Sequence, residues 1–184
     1  MAETTGGPAP AGEVRDLEKA VYWLTQPVMI ITAMARDRRN LMIAVRGMHF
    51  LESPPSIAIG VDRHSVTASV IEESGEFGVN LVAGDQAWLL QKGRELSRLP
   101  SDQVDKFELF GVETFAGDVI SAPLIKGCVC NMECRVIARP DVGEKYYFVV
   151  GNIVALHGFP ERRPMAMFRQ AAFSLDAPIP GTSR

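Results

Sequence analysis

Short apolar runs alternate with polar turns along most of the chain, a pattern that favours β-strands over helices. Residues 27–35 and 40–47 are two such runs on either side of the charged segment RDRRN, and together they predict a β-hairpin. Residues 126–139 and 145–157 predict a second, longer hairpin around the sequence PDVGE. Further apolar runs predict strands over residues 56–62, 77–83 and 167–175.

Helical spacing is confined to four short segments between these strands. In residues 14–24 apolar residues recur every three or four positions, which predicts one buried face formed by Val14, Leu17, Val21 and Leu24. Three more helices, each beginning near Ser or Asp and ending at Gly, are predicted over residues 65–75, 85–93 and 101–111. Antiparallel strands with short helices between them predict a closed or half-closed barrel, with residues 167–175 completing the sheet.

The length of 184 residues is that of one ordinary domain, which we place at residues 14–176. Residues 1–13 and 177–184 are poor in large apolar side chains, so we expect two disordered tails. The first residues lack the basic and apolar regions of a secretory signal. The longest apolar runs, such as residues 28–35, are too short to cross a bilayer, so we expect no membrane partner.

The net charge and the cysteine content limit the expected binding partners and the expected cellular compartment. The formal net charge is −3, so the basic surplus of a general nucleic-acid surface is missing and we expect no nucleic-acid partner. Three cysteines cannot all pair within one chain, and they suit a reducing compartment better than a disulfide framework. We therefore expect a cytoplasmic protein.

The three cysteines form a C-x-C-x3-C pattern inside a predicted strand. Alternation along residues 126–139 would place Cys128, Cys130 and Cys134 on one face together with Met132. Converging thiolates and a thioether could bind a soft metal ion, whereas free Cys and Met are also common buried residues. Because no further ligand completes a tetrahedral site, we predict core positions and no metal site.

Recognisable catalytic motifs are absent from the sequence, including the G-x-S-x-G, P-loop, G-x-G-x-x-G and H-E-x-x-H patterns. The histidines His49, His64 and His157 are far apart in sequence and lack the spacing of metal ligands. We assign them to surface or packing positions, His49 with the least support, and predict no catalytic side chain.

An ordered set of short segments carries a family resemblance. In order these are SPP (53–55), ESGEFGVNL (73–81), DKFE (105–108) and the hairpin that joins ECRV (133–136) to VGNIV (150–154). Over roughly residues 20–175 the chain resembles the flavin reductase-like, FMN-binding split-barrel family, and within it the flavoredoxin-like branch. The resemblance implies a mainly β fold with short helices, a six-stranded antiparallel split β-barrel, a homodimer, and FMN near the subunit interface.

The resemblance also implies where the FMN phosphate binds. In such proteins small hydroxyl residues meet the phosphate at the start of a helix that follows a strand, and here Arg63, Ser65 and Thr67 occupy that place. A helix N-terminus offers free N–H groups and a partial positive charge to an anion, and Arg63 would add a charge-assisted hydrogen bond. The alternative is that Ser65 only caps its helix.

The flavin ring is expected to lie along the strand from Asn40 to Gly47. Backbone groups of Met42, Ile43, Ala44 and Val45 would then contact its polar edge. Arg46 stands where relatives often carry Trp or Ser, so it could face a flavin edge, the phosphate, the nicotinamide cofactor or solvent. The remaining residues that the resemblance assigns to the flavin region are Asn80, Leu81, Val82, Lys106 and Phe107.

The resemblance implies an FMN-binding oxidoreductase that passes hydride from NAD(P)H to the flavin and electrons on to a second acceptor. A flavin carries the chemistry itself, which agrees with the missing catalytic motifs. Two alternatives stay open from the sequence: a non-enzymatic FMN-binding electron carrier of the same fold, and a module that binds a different cofactor.

Overall fold

The structure is a computed structural model that describes residues 16–96 and 104–175. Both predicted tails lie outside the described residues, as do Val14 and residues 101–103. The strands of the described chain are β1 Gln26–Pro27, β2 Met29–Ala35, β3 Arg38–Ala44, β4 Gly47–Glu52, β5 Pro55–Asp62, β6 Glu76–Leu81, β7 Thr114–Phe115, β8 Leu124–Ile125, β9 Cys130–Ala138, β10 Tyr146–Gly158, β11 Met165–Phe168 and β12 Ala171–Ser174. Its helices are α1 Val66–Ser74, α2 Trp88–Leu96 and α3 Lys106–Phe110, with 3₁₀-helices at Leu17–Trp23 and Gly84–Gln86.

One antiparallel sheet of seven strands, in the order β3-β2-β6-β9-β10-β5-β4, forms the body of the fold. Both predicted hairpins are confirmed, β2 with β3 and β9 with β10. The Gly60 amide in β5 donates to the Arg46 carbonyl at 2.7 Å, which extends the β4–β5 ladder to the residue before β4. The predicted mainly β fold with short helices is confirmed; the sheet has seven strands, one more than the six of the predicted barrel, and among the described residues no ladder joins β3 to β5.

The core has two parts because β2 buries both of its faces. Ile31 and Ala33 belong to the cluster inside the barrel, with Phe77 and Val149. Ile30 instead packs on the outer side of the sheet, in a cluster that includes residues of α2 and α3. A strand covered on both faces reads as a continuous apolar run, which explains the unbroken hydrophobic sequence of β2.

Of the predicted helices, the one over residues 65–75 is confirmed at both ends. The one over residues 85–93 is displaced, because Asp85 lies in the 3₁₀-helix Gly84–Gln86 and Gly93 lies inside α2 and does not end it. Ser65 and Gly75 cap α1 as expected, while α3 begins at the N-cap Asp105, later than predicted. Residues 17–23 form a 3₁₀-helix with Leu17 87% and Val21 53% exposed, and Leu24 after it is 63% exposed. The predicted buried face is therefore wrong for the single chain. The described residues leave these side chains exposed, and a 3₁₀-helix does not align residues spaced for an α-helix.

The last predicted strand is divided. Residues 167–175 do not close the main sheet but contribute to β11 and β12, which form a separate three-stranded sheet with β1. Arg169 and Gln170 turn this hairpin with positive φ angles of 48° and 64°. Local alternation cannot show such a turn, because neither residue is a glycine or an asparagine.

Cys128 and Cys134 lie in the core, whereas Cys130 is half-buried and belongs to none of the core clusters, so the core prediction fails for Cys130. The strand begins at Cys130, so Cys128 precedes it and packs in the outer cluster, whereas Cys134 packs inside the barrel. The prediction of a shared face thus fails for Cys128 and holds for Cys130, Met132 and Cys134. Cys128 and Cys134 are fully buried, as predicted, and burial raises the pKa of each thiol to about 12.

Candidate functional site

An elongated cavity of about 490 Å³ lies between β3 and the segment that joins β5 to α1. Its volume is in the range of small-molecule sites. The predicted site residues that line it are Met42, Ile43, Ala44, Val45, Arg46, Ser65, Thr67 and Lys106. The lining residues that the sequence interpretation did not assign to the site are Asn40, Gly60, Asp62, His64, Val66 and Tyr146.

One end of the cavity is polar and holds a buried cation. Lys106 is 7% exposed, and its ammonium donates only a long 3.5 Å hydrogen bond to the Leu41 carbonyl. Burial lowers the pKa of Lys106. Within the described ranges no carboxylate forms an ion pair with it. A buried charge without a counterion is costly, so an anion placed beside Lys106 would be stabilised.

The start of α1 borders the same end. The Ser65 hydroxyl oxygen accepts from the Ala68 amide at 3.1 Å, so Ser65 does cap the helix. A hydroxyl that accepts one bond can still donate another, and capping therefore does not exclude a ligand contact. Thr67 is buried and accepts from the Asn40 side-chain amide at 3.2 Å. Two hydroxyls, a helix start and a lysine are thus brought together.

Another part of the cavity wall is formed by Arg46. Its aliphatic stem lies across Gly60, where a Cβ atom would approach the Arg46 Cβ to 3.0 Å. Its guanidinium carbon is 4.6 Å from the centre of the Tyr146 ring, in a cation–π contact. Tyr146 comes to this place by pairing with Asp62 across β10 and β5. That pairing joins residues 84 positions apart, which is why local patterns could not indicate Tyr146.

The structure does not bring Arg63 into the cavity. Its guanidinium pairs with the Asp141 carboxylate at 2.6 Å and donates to the carbonyls of Gly143 and Glu144 at 3.1 and 3.3 Å. These bonds attach the end of β5 to the β9–β10 turn. The charge of Arg63 is already compensated there, so the structure places Lys106, and not Arg63, beside the start of α1.

The structure also keeps Asn80 away from the cavity. Its side-chain amide donates to the Ile30 carbonyl at 2.8 Å, and its oxygen accepts from the Ile125 amide at 2.8 Å and the Asn131 amide at 2.7 Å. These bonds join β6 to β2, β8 and β9 in the interior. The other assigned residues that the cavity does not include are core residues or pack against the core, namely Leu81, Val82 and Phe107.

A second, more apolar cleft of about 470 Å³ lies on the other side of the same strand. Ile43 and Val45 line both spaces. Its other walls come from α2 and from the β11–β12 hairpin, which contribute the polar side chains Gln91 and Gln170. At Gly93 in α2 any Cβ atom would overlap the Ile43 side chain, so glycine is what lets the helix approach β3.

Glu133 is a second buried charge, remote in sequence from the cavity residues. It is fully buried and accepts from the amides of Asp118, Val119 and Ile120 at 2.7–2.8 Å, with His157 Nε2 also at 2.7 Å. Burial alone would raise its pKa, but the hydrogen bonds from His157 and the three amides lower it to about 2. Although Asp118, Glu133 and His157 are close enough to hold a metal ion, these bonds show that the carboxylate anchors a loop.

Comparisons with known proteins agree on one family. The sequence model described as "Flavin reductase like domain" matches residues 21–176. The chain is 32% identical to protein YddH of Escherichia coli (strain K12) over 70% of this chain and 68% of that protein. It is 27% identical to a flavin reductase of Pseudomonas putida, over 77% of this chain and 78% of that protein.

Solved structures show the same fold. The NADH:FAD oxidoreductase SgcE6 of Streptomyces globisporus matches with a TM-score of 0.77 at 21% identity, over 93% of this chain and all of that chain. In the described part of the chain no helix is both long and apolar enough to cross a membrane.

Proposed function

Because the chain belongs to the flavin reductase-like family, as its sequence predicted, we propose that it binds FMN in the cavity beside β3 and uses it to oxidise NAD(P)H. The observation that carries the proposal is the buried ammonium of Lys106 in the cavity wall, which forms no ion pair with a carboxylate of the described residues. A phosphate dianion is the counterion that this end lacks, and the hydroxyls of Ser65 and Thr67 add neutral donors.

The rest of the cavity fits the flavin ring. The backbone and side chains of residues 42–45 form one continuous wall, on which the apolar part of a planar ring can lie. FMN, when bound, supplies the hydride-accepting chemistry that side chains lack. The task of this chain is to bind and orient the flavin.

The apolar cleft behind β3 supports the second half of the reaction. It shares Ile43 and Val45 with the cavity, so a planar molecule in the cleft would lie next to the ring on the same strand. Gln91 and Gln170 offer amide donors and acceptors to a carboxamide or to a heterocycle. Direct hydride transfer requires the nicotinamide to contact the flavin ring, so we assign to this cleft a part of NAD(P)H or of the electron acceptor other than the reacting nicotinamide.

We propose a homodimer on the evidence of the apolar surface that the single chain leaves open. Edge strand β4 exposes Met48, Phe50 and Leu51 at 43–57%. An unpaired edge with large apolar side chains is normally covered in a stable protein. Light scattering with FMN present should give twice the 20.1 kDa chain mass, and a 20 kDa particle would contradict the proposal. The described cysteines are all free, which supports a cytoplasmic location.

The decisive experiment mixes purified protein with FMN and NADH or NADPH and follows the nicotinamide absorbance. We expect saturable NAD(P)H oxidation that requires flavin, with FMN, FAD and riboflavin compared to establish the preferred form. Binding of FMN without NAD(P)H oxidation would identify an electron carrier. Failure to bind any flavin would overturn the proposal and favour a different cofactor.

A further inference from the structure

Among the described residues, Arg46 and Lys106 are the arginine and the lysine that line the cavity, and the side chain of Arg46 is held in place. Its stem fits over the bare Cα of Gly60, and its guanidinium lies on the Tyr146 ring. Although Arg46 is exposed, its side chain is held at two points, and it therefore loses less conformational freedom on meeting a ligand than an arginine without such contacts does.

The charge of Arg46 is available, unlike that of its basic neighbours. Arg63 pairs with Asp141, and Lys145 lies 3.9 Å from the Asp62 carboxylate. For the guanidinium of Arg46 the described residues provide no carboxylate partner and no hydrogen-bond acceptor. Its donors therefore face the cavity without a partner of their own.

Lys106 and Arg46 contact different parts of the cavity wall. Lys106 donates to the carbonyl of Leu41 in β3, whereas Arg46 lies beyond the end of β3, against Gly60 and Tyr146. In FMN the phosphate and the ring stand at opposite ends of the ribityl chain, so a phosphate at Lys106 leaves the ring to the part of the wall that Arg46 lines.

We propose that the Arg46 guanidinium contacts the pyrimidine edge of the flavin, at N1 and the C2 carbonyl, and favours the reduced form of the cofactor. The proposal rests on FMN binding in this cavity. Hydride transfer brings two electrons and one proton to N5. The proton balances one negative charge, and the other is delocalised onto N1 and the C2 carbonyl. A cation fixed at that edge stabilises the reduced form more than the oxidised form. Arg46 thereby sets the reduction potential.

The test compares Arg46→Gln, Arg46→Lys and the matched control Arg38→Gln, an exposed arginine that pairs with Glu73. The measurements are the dissociation constant of oxidised FMN and the midpoint potential of the bound flavin. We expect R46Q to lose about tenfold in affinity for reduced relative to oxidised flavin, which lowers a two-electron potential by about 30 mV. R46K should keep most of the wild-type potential, and R38Q all of it.

Riboflavin separates the ring contact from a phosphate contact. Since it lacks the phosphate, the R46Q shift in potential should be as large with riboflavin as with FMN. The inference is overturned if R46Q leaves the potential unchanged, or if it weakens both redox forms of FMN equally and spares riboflavin. If wild-type protein binds no flavin, the proposed function itself fails, and this outcome is visible before any variant is made.

Discussion

Glu133 and Lys106 are both buried charges, but the fold treats them in opposite ways. Glu133 accepts hydrogen bonds from three backbone amides and contacts His157, and these bonds hold its pKa near 2. Lys106 has one long contact to a carbonyl, and burial lowers its pKa. The described chain thus supplies Glu133 with four hydrogen-bond partners and supplies Lys106 with one distant carbonyl. We infer that a compensated buried charge serves the fold, whereas an uncompensated one is kept for a ligand.

The largest expected effect comes from removing the compensated charge. Glu133→Ala would leave three loop amides without an acceptor, each costing about 1–3 kcal/mol, so the free energy of unfolding should fall by at least about 3 kcal/mol. Urea denaturation measures this. Glu113→Ala is the matched control, because Glu113 is exposed and its 3.5 Å pair with Lys126 contributes little. If both variants are equally stable, the loop is not anchored by Glu133.

Removing the charge of Lys106 should change FMN affinity more than it changes the stability of the fold. Lys106→Met keeps the length of the side chain but removes its charge, so stability should stay unchanged or rise by about 1 kcal/mol. FMN affinity should fall about 30-fold, the equivalent of one charged hydrogen bond of about 2 kcal/mol. Isothermal titration with FMN and riboflavin checks this, since riboflavin should be indifferent. A large loss of stability in this variant would show that Lys106 belongs to the fold.

A smaller effect is expected from the neutral donors at the start of α1. Replacing Ser65 and Thr67 together by Ala should lower FMN affinity about tenfold while sparing riboflavin. The lost cap should also cost about 1 kcal/mol of stability. Thermal melts of the single variants separate the two effects. Equal losses for FMN and riboflavin would mean that the hydroxyls only build the helix.

The smallest difference concerns acid pH. The folded-state pKa of Glu133 lies near 2, below its ordinary value of 4.5, so the stability it contributes is present above pH 4.5 and is lost as pH falls toward 2. Glu133→Gln keeps an acceptor oxygen but does not titrate. Unfolding curves between pH 5 and pH 2 should therefore fall less steeply for E133Q than for wild type. Parallel curves would contradict the assigned role of the hydrogen bonds.

Much of the fold was predictable because its strands follow local rules. The alternation and turns of the β2–β3 and β9–β10 hairpins lie within one stretch of chain, and the caps of α1 are single residues. Burial of Leu17, Val21 and Leu24 was not predictable, because it depends on whether another surface covers them. The turn at Arg169 was missed because its backbone conformation has no signal in the residue type.

The candidate site was predictable where it lies on consecutive residues. Residues 42–46 line the cavity because they are the end of β3 and the two residues that follow it, and Ser65 and Thr67 because they lie at the start of one helix. Arg63 and Asn80 fit the motif equally well, yet their partners, such as Asp141 and Asn131, lie far away in sequence and take up their donors and acceptors. Spacing alone does not indicate which polar residues the fold has already satisfied.

Ile43 and Val45 line both the cavity and the apolar cleft behind β3. A change of side-chain volume at either position therefore alters both sites. Helix α2 cannot move closer to compensate, because Gly93 already packs against Ile43. Selection for a different flavin would therefore alter the neighbouring cleft as a by-product, and selection there would disturb the flavin. Directed evolution of this scaffold should reach new specificities through paired substitutions, one on β3 and one on α2 or the β11–β12 hairpin, more often than through single ones.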